Sequence, residues 1–146
     1  NTASLTQNDG WNDNYTYQEG SNNTTTVSQE GYLNKSVTEQ IGDYNNAEIT
    51  QSGEWNDSYT YLEGNHNTVV VDQDGAGLDS TILATGDHNA HTITQSGKGH
   101  DSYTSTTGSH NQQNVTQSGG SFWGGAHTST ITTNGHGNVN TVAQGH

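Results

Sequence analysis

The chain has 146 residues, 25% of them hydrophobic and 12% charged, with two Lys plus Arg against fifteen Asp plus Glu and a net charge of -13. That balance argues against a nucleic-acid partner, since phosphate binding needs Lys and Arg, and in a chain without periodicity it would mark disorder. There is no Cys for disulfides or thiol chemistry, no Pro to interrupt a strand ladder, and no apolar run long enough to enter a membrane.

From the N-terminus the chain repeats one short grammar. Stepping by 11 residues gives Gln7, Gln18, Gln29, Gln40, Gln51, Leu62, Gln73, Ala84, Gln95, Thr106 and Gln117. A slip of 16 then leads to Thr133, and a last step of 11 to Gln144. Two places after these positions stands a Gly column, from Gly20 to Gly135, broken by Asp9 and His146. Three places further stand Asn12, Asn23, Asn34, Asn45, Asn56, Asn67, Asn89, Asn111 and Asn138, with Leu78, His100 and His127 as exceptions. The slip corresponds to five extra residues within GGSFWGGAH, 119–127, a Gly-rich loop. The chain opens at Asn1 rather than Met, which leads us to expect that a secretion signal has been removed.

Between each Asn and the next Gln the text alternates with period two, the signature of a strand. In 45–51, Asn45, Ala47, Ile49 and Gln51 share one face. Each 11-residue unit therefore reads as one strand and one Gly-bearing turn. A slower period overlies the first. Two places before the Gln column, odd units carry Leu5, Val27, Ile49, Val71, Ile93, Val115 and Val142, whereas even units carry mostly Thr, with Ile82 and Ile131. The true repeat is thus 22 residues, and the expected fold is an all-β, two-sheet, cross-β solenoid of about 6.5 coils, forming a single domain over 1–146.

This spacing resembles that of curlin, the subunit of curli, the extracellular functional amyloid of Gram-negative biofilms. The resemblance rests on Gln-x-Gly-x-x-Asn with the next Gln 11 residues on, and it covers essentially the whole chain. It implies that the Gln and Asn columns are inward, stacked ladders. It also implies self-association into a cell-surface fibre, export through an outer-membrane channel and growth on a nucleator subunit. Amides stacked at strand spacing can pass N–H to C=O along the axis. The first and last units are as regular as the middle ones, so uncapped ends are expected to recruit further copies.

Other columns are candidates for contacts. Tyr15, Tyr59 and Tyr103, extended by Tyr17 and Tyr61, make the outer face of the even sheet a candidate lateral surface. Asp57, Asp79 and Asp101 form an acidic column that a cation such as Ca²⁺ would relieve. His66, His88 and His110 form an imidazole column suited to Zn²⁺, Cu²⁺ or pH sensing. Trp11 and Trp55, with Phe122 and Trp123 of the loop, are candidates for carbohydrate or fibre contact. No nucleophile–base–acid set emerges, no cofactor is called for, and catalysis is not expected. Two alternatives are a monomeric ice-binding solenoid, suggested by outward Thr6, Thr50, Thr94 and Thr116, and the curli nucleator itself.

Overall fold

The structure, a computed structural model, describes residues 1–120 and 125–145. The β-branched and aromatic residues between the Asn and Gln columns form extended chain, in the order β1 (Thr2–Asn8), β2 (Asp13–Glu19), β3 (Thr24–Tyr32), β4 (Lys35–Ile41), β5 (Asn46–Glu54), β6 (Asp57–Glu63) and β7 (Thr68–Ala76). There follow β8 (Asp79–Thr85), β9 (Ala90–Lys98), β10 (Asp101–Thr107), β11 (Gln112–Gly119), β12 (Thr128–Asn134) and β13 (Val139–Gln144). Odd strands build one seven-stranded sheet and even strands a facing six-stranded sheet, each in unbroken sequence order. Every pairing is parallel, so the chain winds as a β-solenoid. No helix occurs among the described residues, and none is long and apolar enough to cross a membrane.

Register is set by the 22-residue period. Val27 pairs with Ile49 and Gln29 with Gln51; Thr38 pairs with Thr60. At the loop the offset becomes 27, with Asp101 paired to Thr128 and Val115 to Val142. The five extra residues are therefore taken up between Gly119 and Thr128 without disturbing either sheet. Phe122 and Trp123 lie outside the described residues.

Alternation places every second side chain between the sheets. In β5, Ala47, Ile49 and Gln51 are buried while Asn46, Glu48 and Thr50 are exposed. Val27, Ile49, Val71, Ile93 and Val115 of the odd sheet meet Leu62, Ile82, Ala84 and Ile131 of the even sheet in one cluster, with Val142 partly buried against it. Leu5 departs from its expected core place and is 49% exposed. It points to the same side as Val27, but β1 is the edge strand of its sheet among the described residues.

The two turns of a coil differ, which the uniform strand-plus-turn reading does not foresee. After even strands the Gly ends the strand, as at Gly42; in odd strands it lies inside a longer strand, as at Gly53. Both glycines have positive φ, +117° and +103°, and a Cβ would fall about 2 Å from the carbonyl oxygen of Gly64 or Gly75 in the next coil. The column is Gly because coils could not otherwise approach to strand spacing.

Candidate assembly interface: the stacked polar columns

The odd-sheet glutamines form one continuous chain of amides. Nε2 of Gln7 donates to Oε1 of Gln29 at 2.7 Å, Gln29 to Gln51 at 2.8 Å, and Gln51 to Gln73 at 2.9 Å. Gln73 donates to Gln95 at 3.0 Å, Gln95 to Gln117 at 2.9 Å, and Gln117 to Gln144 at 2.9 Å. Each amide from Gln29 onward also donates across the core to the first residue of an even strand, for example Gln51 to the Lys35 carbonyl at 2.8 Å. From Gln29 to Gln117 these bonds lie in a buried interior, where an amide left unpaired is costly, whereas Gln7 on the edge strand is exposed and Gln144 only partly buried. All six ladder bonds point the same way, so the ladder has an acceptor end at Gln7 and a donor end at Gln144.

In the even sheet the ladder is a single link, Gln18 to Gln40 at 2.9 Å. Leu62, Ala84, Thr106 and Thr133 occupy the following places, and the facing strand compensates. Gln40 accepts from the Thr25 hydroxyl at 3.0 Å; in the next two coils the Leu62 and Ala84 places are faced by Ala47 and Val69, all buried. Further on, polarity returns on both sides. Gln113 donates to the Thr106 hydroxyl, and Asn140 donates to that of Thr133 at 2.7 Å.

The asparagines work by another mechanism than the expected amide-to-amide relay. Oδ1 of Asn45 accepts the backbone N–H of Asn67 at 3.0 Å, while its Nδ2 donates to the Gly64 carbonyl at 2.8 Å. The same pair of bonds recurs at Asn23, Asn67 and Asn89, and in the even column at Asn12, Asn34 and Asn56. Among the described residues of this column, amide-to-amide bonds join Asn111 to Asn89 and Asn138 to Asn111. The short Asn side chain thus clamps the backbone of two turns, whereas the longer Gln reaches its own kind.

His100, an apparent break in the Asn column, takes over both tasks. Its Nδ1 accepts the His127 N–H at 3.1 Å, and its Nε2 lies 3.1 Å from the carbonyls of Ser96 and Gly119. The tautomer with hydrogen on Nε2 satisfies all three contacts. The His100 and His127 rings stack at 5.0 Å. His91 is another buried imidazole that periodicity alone does not single out. Its Nδ1 meets the Thr104 hydroxyl at 3.2 Å, and burial pushes its pKa down to about 4.

The outer columns are parallel rows rather than enclosed sites. Tyr15 and Tyr17 are exposed and Tyr59, Tyr61 and Tyr103 half-buried along the even sheet. Tyr17 and Tyr61 donate to Glu19 and Glu63 at 2.9 and 3.1 Å. The bonded and nearby Glu19 raises the Tyr17 pKa; burial raises those of Tyr59 and Tyr61. Asp57, Asp79 and Asp101 are in register, and burial, then the carboxylates on either side, raises the Asp79 pKa. Asp57 also approaches Lys35 at 4.0 Å. His66, His88 and His110 stack with Tyr44 in one row, with centroids 4.9–5.0 Å apart. Among the described residues no three His, Asp or Glu side chains converge to hold a metal ion. Stacking holds each ring parallel to the next, so the nitrogens do not converge on one centre.

The family model of the curlin associated repeat matches residues 20–53, 42–75 and 64–97. Each match opens on a Gly that ends an even strand and closes on a Gly inside an odd one, so successive matches advance by one coil. No curated protein and no solved structure matches the chain.

Proposed function

This chain belongs to the curlin repeat family, and we propose that it is the structural subunit of an extracellular, curli-like amyloid fibre that grows end to end. The observation carrying this reading is the polarity of the odd-sheet ladder, with Gln7 at the acceptor end and Gln144 at the donor end. Every internal level of the solenoid is completed by the level above it, through backbone pairing and side-chain stacking. A further copy would complete an outer level by the same bonds.

Growth then proceeds by templating. The edge of β1 presents unpaired backbone groups and the exposed Leu5, and an incoming chain covers both. Pairing fixes the strands, and the Gln, Asn and aliphatic columns select the register, since a one-residue slip would turn the buried amides outward. The fibre would serve biofilm matrix and adhesion, with the tyrosine face as a lateral contact. Family kinship extends the partners to a nucleator subunit and an outer-membrane channel. An ice-binding role gains no support from the Thr row, because Asp72 lies in register between Thr50 and Thr94.

Electron microscopy and fibre diffraction of the purified protein test the proposal. Unbranched fibres with a meridional spacing of about 4.8 Å are expected. Growth should accelerate on adding preformed fibre ends. A concentrated solution that stays monomeric and thioflavin-negative for weeks, seeds included, overturns it.

A further inference from the structure

The two turn edges of the solenoid fill their left-handed positions differently: one holds Tyr44, His66, His88 and His110, which stack ring on ring, and the other changes from bulky residues to glycine along the chain. The residue four places after each odd-sheet Gln position takes a left-handed backbone conformation in five successive coils: Trp11 (φ 63°), Leu33 (57°), Trp55 (61°), Gly77 (64°) and Gly99 (69°). Glycine adopts this conformation freely, whereas bulky side chains there are strained. The later coils use Gly, as folding alone favours. The first three hold two indoles and a leucine in the same place.

Those side chains do nothing for the core. Trp11 is 83% exposed and Trp55 64%, with Leu33 and Tyr32 also exposed between them. Their turns are locked in vertical register, since Leu33 N donates to the Gly10 carbonyl at 3.4 Å and Trp55 N to that of Tyr32 at 3.0 Å. The Tyr32 ring lies against Gly10, where a Cβ would come within 3.0 Å of it. The result is an apolar ridge, rigidly carried on strand edges and confined to one end of the molecule. Exposed apolar residues held by a rigid frame outside any core mark a binding function rather than a folding one.

From this we propose that the Trp11–Tyr32–Leu33–Trp55 ridge is a binding site for a neutral, β-linked polysaccharide. Two strand layers separate the indoles, hence about 10 Å. An extended β-1,4-linked glycan repeats its disaccharide at about that distance and presents an apolar C–H face to a flat ring at each repeat. The surroundings select against charged ligands. Asp9, Asp13 and Glu54 are exposed beside the ridge, and the nearby cation Lys35 is shared with Asp57. These carboxylates can accept sugar hydroxyls but repel polyuronates and anionic lipid. The site does not require polymerisation, because a single copy carries the whole ridge.

The test is depletion of freshly dissolved monomer, and separately of fibres, by an insoluble β-1,4-glucan, with a polyuronate gel as the anionic comparison. Trp11→Gly and Trp55→Gly insert the residue the later coils already use, and circular dichroism checks that the fold is kept. Binding to the glucan is expected to weaken several-fold in each single variant and by roughly tenfold or more in the double variant. Tyr103→Thr on the outer face, matching Thr81 of the adjacent strand, should leave it unchanged. The proposal is overturned if wild-type protein is not retained by the glucan or is held equally by the polyuronate. It is also overturned if the double variant binds like wild type or loses only fibre bundling.

Discussion

Replacing Gln51 by Leu tests the ladder most directly. Leucine is close in volume and occupies the equivalent place in the even sheet as Leu62, so shape is nearly conserved. Three bonds disappear: Gln29 Nε2 to Gln51 at 2.8 Å, Gln51 Nε2 to Gln73 at 2.9 Å, and Gln51 Nε2 to the Lys35 carbonyl at 2.8 Å. Gln29 keeps its bond to the Asp13 carbonyl, so its loss is partial. Gln73 Oε1 loses its ladder donor in a fully buried position, at about 1–3 kcal/mol. Adding the two partial losses and subtracting the gain from apolar burial leaves a net destabilisation of about 2–4 kcal/mol. Guanidinium unfolding of the monomer should register this as a lower midpoint at unchanged slope. Ser52→Ala, on the same strand as Gln51, removes an exposed bond to Asp74 of β7 and should change stability by less than about 0.5 kcal/mol. If Gln51→Leu behaves like Ser52→Ala, the amide column is mere filler and the reasoning fails.

Three further outcomes are expected. His91 is neutral in the fold with its pKa pushed down to about 4 from 6.5, so between those values the unfolded chain binds more protons. Stability should therefore fall by up to about 3 kcal/mol on acidification across that window, and His91→Val, the residue of the adjacent coil at position 69, should flatten this part of the profile. Gly53→Ala forces a Cβ to about 2 Å from the Gly75 carbonyl at φ +103°, and should cost several kcal/mol and block fibre growth, read by calorimetry and seeded kinetics. The hydroxyls of Ser58 and Ser80 are buried without a hydrogen-bond partner, so Ser58→Ala and Ser80→Ala should leave the melting temperature unchanged or raise it.

Periodicity was sufficient to read the two sheets, the 22-residue register, the inward Gln and Asn faces and the place of the five-residue slip. The reason is that parallel stacking puts residue i directly beside residue i+22, so vertical contact is written along the chain as repetition. Contacts across the core carry no such mark. The match of Gln40 with Thr25, the turn to Ala and Leu in the middle coils, and the return of polarity at Gln113 and Asn140 depend on how the facing sheet is offset, and no period encodes that offset. Likewise the spacing singled out Asn45, read as a rung of an amide-to-amide ladder, and His100, read as a break in it, but not the bonds that their polar atoms make. The packed turns settled these, because only there do a backbone N–H and a glycine carbonyl of neighbouring coils come within reach of one short side chain.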